Sequence, residues 1–253
     1  MTLEIAVSSF TIIGCCAITR KGLQEPFFLF LIGEDQYKVF RMNNDDQRRE
    51  WLALASAWIK EAREGRFCRI LVERGAAAVL GLDLCELMIE AARQLQFGRD
   101  EYRVADVPDM GFIEEGSYDL GVSYLSQCDL PNFNANNREV FRVLKPGGRF
   151  LVANLHPMRL AVGGWHTSEK GTKEHVILDN YFDESDRSWP MKGVTITGFH
   201  RTLATYLDGF SDAGFTLEEI VEPTVTAEKV AQYPELDDEM RVPNFIIYTM
   251  RKP

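Results

Sequence analysis

The chain has 253 residues, 45% of them hydrophobic, enough to bury one large core or a core with an extension. Its net charge of -10 and pI near 5 argue against binding to a phosphate backbone, which draws its affinity from clustered Lys and Arg. No run reaches the roughly 18 apolar residues of a bilayer span, and the five cysteines show no C-x-x-C spacing, so reduced thiols and a cytoplasmic location are expected, with no metal-ligand pattern.

The first segments are β-prone. Ile5 to Ile18 and Pro26 to Ile32 are apolar runs separated by the turn-forming TRKGLQE, most simply a strand pair, so residues 1–42 read as an N-terminal extension. Asn43 or Asn44 can then cap a helix over Asp45 to Ala62, with Trp51, Ala55, Trp58 and Ala62 on one face. A helix over Arg66 to Arg74 follows, its apolar face made by Phe67, Ile70 and Leu71 and its end marked by Gly75.

Ala76 to Leu82 is a short apolar run that ends in one acid, Asp83, with a helical pattern directly after it. Leu84, Leu87, Met88, Ala91, Ala92 and Leu95 recur at offsets of three and four, leaving Glu86, Glu90 and Arg93 toward water. An acid at the carboxyl end of a central parallel strand is placed to accept from ribose hydroxyls, or simply to cap the helix. Tyr102 to Asp106 repeats the layout with a second acid, and Gly116 to Ser123 reads as a turn and another buried strand. Asp129-Leu-Pro-Asn132 opens a helix, which ends at a Lys-Pro-Gly-Gly turn before a strand over Arg149 to Ala153.

That strand delivers Asn154-Leu-His156-Pro to the same edge, where a neutral imidazole could take a proton from an acceptor or orient the loop. From Met158 to Gly198 the pattern is irregular, with Trp165, His166, Tyr181, Phe182 and Trp189 among Gly, Asp and Ser. It reads as a lid over an apolar acceptor or as a packed surface excursion. A helix follows from His200 through Phe210 to Gly214, and Thr216 to Val221 and Phe245 to Met250 are the closing strands. Tyr248 and Lys252 match a Y-x-x-x-K pattern, but a strand does not bring those side chains together as a helix turn would.

Four motifs in order, GLDLCELMIEAAR, ADVPDMGFIEEGSYDLGVSYLS, REVFRVLKPGGRFLVANLHP and HRTLATYLDGFSDAGF, make the chain resemble a class I S-adenosylmethionine-dependent methyltransferase of the small-molecule type, from about Glu64 to Pro253. The resemblance implies a Rossmann-like α/β fold, a mostly parallel seven-stranded sheet with an antiparallel last strand and helices on both faces. It divides the chain into the extension 1–42 and a methyltransferase-like domain 43–253 with an insert at about 157–199. The cofactor implied is S-adenosylmethionine and the partner a small-molecule methyl acceptor, with no metal, nucleic acid or membrane.

Carried over residue by residue, the resemblance implies cofactor contacts from Gly65, Asp83, Leu84, Met88, Asp106, Val107, Ser123 and Tyr124. Asp106 would accept from the adenine amine. Tyr124, His156, Trp165, Arg201 and Tyr206 would border the acceptor, and His156 or His200 would serve as base. The family's first strand and its D-x-G-x-G-x-G turn, whose glycines admit the backbone to the cofactor, are absent between Ile59 and Phe67 except for Glu64-Gly65. Either the chain is a shortened or silent relative acting as a binding module, or Phe10–Cys16 or Phe27–Ile32 fills the central slot, or the remaining contacts suffice. An oxidoreductase is disfavoured because no G-x-G-x-x-G follows a strand.

Overall fold

A computed structural model describes residues 65–73, 75–191 and 194–253 of the chain. The expected strand pair in 1–42, the helix over 45–62 and any replacement for the central strand lie outside the described residues.

The first helix, α1 (Arg66–Glu73), buries Cys68 and Leu71 and stops where Gly75 takes φ +93°. Gly75 N–H donates to Val72 O and Ala76 N–H to Leu71 O, a Schellman ending that only a residue at ease with positive φ closes cheaply. Strand β1 (Val79–Asp83), helix α2 (Glu86–Gln94) and strand β2 (Asp100–Val104) form a parallel βαβ unit with Asp83 opposite Val104. The buried face of α2 differs in part from the expected stripe. Ala91 and Ala92 are buried as expected and Ile89 joins Ala92 in packing against Cys68, Leu71 and Val79, whereas Leu84, Leu87 and Met88 are half-buried and Leu95 is 41% exposed. Both stripes satisfy helical spacing; the approach of α1 selects one.

Strand β3 (Tyr118–Tyr124) leads through a 3-10 turn at Gln127–Asp129 into helix α3 (Phe133–Val143), capped by Asn132 Oδ1 on Ala135 N–H. Strand β4 (Leu144–Leu155) is parallel to β3 and longer than expected, because the Lys-Pro-Gly-Gly segment stays beside the chain end: Gly147 N–H donates to Lys252 O and Lys252 N–H to Gly148 O.

After the 3-10 turn Pro157–Leu160 come two antiparallel hairpins, β5 (Val162–Thr167) with β6 (Lys173–Leu178), and β7 (Asp186–Met191) with β8 (Val194–Phe199). The expected irregular segment is therefore largely strand. Most of β6 is exposed on both faces, so its ladder leaves no alternating apolar signal. Helix α4 (Leu203–Asp212), capped by Thr202 and followed by Gly214, strand β9 (Thr216–Val221), the short helix α5 (Ala227–Gln232), a 3-10 turn at Pro234–Met240 and strand β10 (Phe245–Arg251) complete the chain.

Besides the two hairpins, the strands among the described residues form two sheets: β1–β2, and a larger one of order β3–β4–β10–β9 with β10 antiparallel to both neighbours. Side chains join the two pieces: Val79 and Val122 share one apolar cluster, and Leu82 shares another with Val140, Phe150, Phe210 and Tyr248. Burying those aromatics at about 25 cal/mol per Å² is the main term holding α3 and α4 on the larger sheet.

Candidate active site

Carboxyl ends of parallel strands collect the chemistry-bearing residues in an open α/β sheet. Asp83, 8% exposed at the end of β1, accepts Cys85 N–H on Oδ1 at 2.8 Å, an Asx turn that starts α2. Its carbonyl accepts Ala105 N–H at 3.0 Å, which sets Asp106, half-buried just past β2, beside it. Leu84 and Met88 are half-buried on the same turn and helix start, whereas Val107 is in the core with Leu82 and Met110. Gly65 has φ +61°, its carbonyl lies 3.1 Å from Tyr102 Oη, and a Cβ there would stand 2.6 Å from the Tyr102 ring. Only glycine fits, for packing and backbone reasons together.

At the end of β3, Ser123 is fully buried with its hydroxyl on Ser126 Oγ, and the ring of the half-buried Tyr124 packs at 5.0 Å, tilted by 31°, against Phe67 of α1. Leu125 has φ +49°, rare for a branched residue, and its N–H donates to Ala153 O at 2.7 Å. Such strain turns the chain sharply out of the sheet at the candidate site, and no periodicity argument could have found it.

Arg201, 7% exposed, reaches back to the turn this creates. Its guanidinium donates to the carbonyls of Gln127, Leu130 and Pro131 and lies 4.5 Å over the Phe133 ring. Gln127 Nε2 in turn donates to Asn137 Oδ1. Tyr206, one turn into α4, is 2% exposed, and burial pushes its phenol up to about 12. Burial likewise pushes the Cys128 thiol up, so neither group is a ready base.

The two candidate histidines differ. His156 Nδ1 accepts Met158 N–H at 3.1 Å, so Nε2 carries the proton and donates to Glu222 Oε1 at 2.9 Å. Burial holds its pKa below the ordinary value, opposed in part by the Glu222 carboxylate. His200, 1% exposed, has Nε2 at 2.7 Å from Tyr181 O, which assigns the proton to Nε2 and leaves Nδ1 as a buried lone pair with no donor. Trp165 stands apart, on β5, with Arg241 at 4.5 Å and Lys173 at 5.5 Å from its ring. Lys252 is spent on Phe141 O and Leu144 O, and Tyr248 is fully buried, so the two do not form a pair.

The structure thus sets Asp83 and Asp106 at neighbouring carboxyl ends of β1 and β2, places Ser123 and Tyr124 at the carboxyl end of β3 in the larger sheet, and ties Arg201 to the segment that leaves β3. Sequence reasoning missed Phe67 as the partner of Tyr124 and Gln127 and Asn137 as the links to Arg201.

A family of methyltransferase domains matches residues 62–152. An S-adenosylmethionine-dependent methyltransferase from Mesorhizobium loti is 33% identical over 74% of this chain and 86% of its own, with a TM-score of 0.67. A structure from Listeria monocytogenes assigned to the same class is 28% identical over 81% and 99%, with a TM-score of 0.68. An uncharacterized protein from Haemophilus influenzae is 25% identical over 197 residues, 74% of this chain and 77% of that one.

Proposed function

Because the chain belongs to the class I S-adenosylmethionine-dependent methyltransferases, we propose that it transfers the methyl group of S-adenosylmethionine to a small organic acceptor. The observation that carries this reading is the pair Asp83 and Asp106 at neighbouring carboxyl ends, tied by the Ala105–Asp83 hydrogen bond.

The donor set fits the nucleoside half of the cofactor. Two carboxylates on adjacent strand ends can accept from a ribose diol and an exocyclic amine, with Leu84 and Met88 as apolar wall. When bound, the cofactor supplies a methyl group on a positively charged sulfur. The chain's contribution is alignment and exclusion of water, which in such bimolecular reactions lowers the barrier by up to about 7–11 kcal/mol.

His156 serves as a positioning residue in this reading, since both ring nitrogens are committed to Met158 and Glu222. His200 is the better candidate to take a proton from a hydroxyl acceptor, through Nδ1. Arg201 and Tyr206 shape the acceptor side by holding the 126–131 turn. The strongly acidic chain suits a small or neutral-to-basic acceptor rather than nucleic acid. Among the described residues no helix is long and apolar enough to cross a membrane. The buried thiols of Cys68, Cys85 and Cys128 fit a cytoplasmic protein. The catalytic domain runs over 43–253 in this reading, behind the extension 1–42.

Calorimetric titration with S-adenosylmethionine and with its demethylated product tests the reading. Saturable binding, weakened by Asp83→Asn, is expected. A folded, cooperatively melting chain that binds neither ligand overturns it in favour of a silent binding module.

A further inference from the structure

On the β5–β6 hairpin, His166 and His175 are cross-strand partners with ring centroids 4.7 Å apart and planes 11° from parallel. Directly opposed positions of an antiparallel pair put both side chains on one face. Strand alternation would send the next residue, Glu174, to the other face. It does not go there, because the register steps from His166–His175 to Thr167–Lys173 and leaves Glu174 as the extra residue of a bulge. A bulge re-aims the side chain it carries, and Glu174 Oε2 lies 3.3 Å from His166 Nδ1. One ligand atom from each of the three residues lies within 4.8 Å of the others.

The carbonyls around the bulge have a fixed partner. Arg241 donates from Nη1 to Lys173 O at 2.9 Å and from Nη2 to Glu174 O at 2.7 Å, with its guanidinium 4.5 Å over the Trp165 ring. Lys173 Nζ is paired with Asp238 at 2.7 Å. The backbone beneath the three side chains is therefore held from the 234–241 segment, while the side chains themselves are exposed.

We propose that His166, Glu174 and His175 bind a divalent transition metal of the zinc, nickel or copper(II) class. Two imidazoles and one carboxylate suit these ions, whereas calcium and magnesium need oxygen ligands. Tetrahedral ligands about 2.1 Å from an ion stand roughly 3.4 Å apart, close to the His166–Glu174 separation, and a turn of the exposed His175 ring brings in the third. The remaining position faces solvent. The ion cross-links both strands and stiffens the hairpin that follows β4.

The test uses full-length, untagged, metal-free protein titrated with Zn2+ and Co2+. One ion per chain is expected, with a cobalt spectrum free of thiolate charge transfer. Affinity should drop more than about tenfold in the His166→Ala/His175→Ala double variant and measurably in Glu174→Gln, while the metal-free melts match wild type. Only two of the four histidines should show ring resonances broadened by Cu2+. No saturable binding by the wild type, or undiminished binding by the double variant, overturns the proposal.

Discussion

His156 Nε2 and Glu222 Oε1 meet at 2.9 Å across 66 residues of sequence, tying the loop after β4 to the end of β9. The backbone N–H of Met158 on Nδ1 leaves this imidazole one tautomer, and its neutral form is the one the buried site prefers.

This preference sets a pH dependence. A histidine whose folded pKa is depressed binds its proton more readily in the unfolded chain, so its stability contribution is present above about pH 6.5 and lost as pH falls through the folded value. Urea midpoints should therefore fall below about pH 6.5 more steeply in the wild type than in His156→Gln. Equal slopes would show that His156 does not titrate with unfolding.

Asp83→Asn keeps an oxygen for the Cys85 N–H, so the start of α2 should survive and the melting temperature change little. It removes the carboxylate that the cofactor's ribose would use. Binding of S-adenosylmethionine should weaken about ten- to hundredfold by calorimetry.

Arg201→Lys replaces a planar fork that serves three carbonyls with a point charge that cannot reach all of them. Leaving buried acceptors unpaired and emptying the space over Phe133 should cost about 2–4 kcal/mol in urea denaturation. A loss below about 0.5 kcal/mol would mean the 126–131 turn stands without it.

Gly209→Ala opposes two effects on α4. Helix propensity favours alanine by about 1 kcal/mol, but its Cβ would stand 2.7 Å from the Phe133 ring and press on Asn134. Overpacking against a buried ring costs about 1–3 kcal/mol, so the variant should be less stable despite the better helix former.

Much of the fold was legible because its signals are local. The apolar run ending at Asp83, the Gly75 stop of α1, the helix between Asn132 and the Lys-Pro-Gly-Gly segment and the two closing strands each depend on a few adjacent residues. The strand ends at Asp83, Asp106 and Ser123-Tyr124 were legible for the same reason, while their candidacy as cofactor contacts came from the resemblance.

Tertiary structure decided what depends on distant partners. Two stripes of α2 obey helical spacing, and contact with Cys68 and Leu71 chose the one through Ile89. Of the two roles the sequence left open for His156, base or loop orienter, Glu222 and Met158 supply the contacts of the second by engaging both its nitrogens. Arg201 closes on carbonyls some 70 residues earlier, partners that no local pattern names. Glu174 joins His166 only through a bulge in strand register. By itself the sequence determined the strands and helices of the βαβ unit and of the larger sheet, and which acids end β1 and β2, because backbone preference and apolar periodicity are written over neighbouring residues; the exposed hairpins β5–β8 left no such signal. Which side chains remain available for chemistry was settled by long-range hydrogen bonds, and those form only once the sheets bring distant segments within about 3 Å.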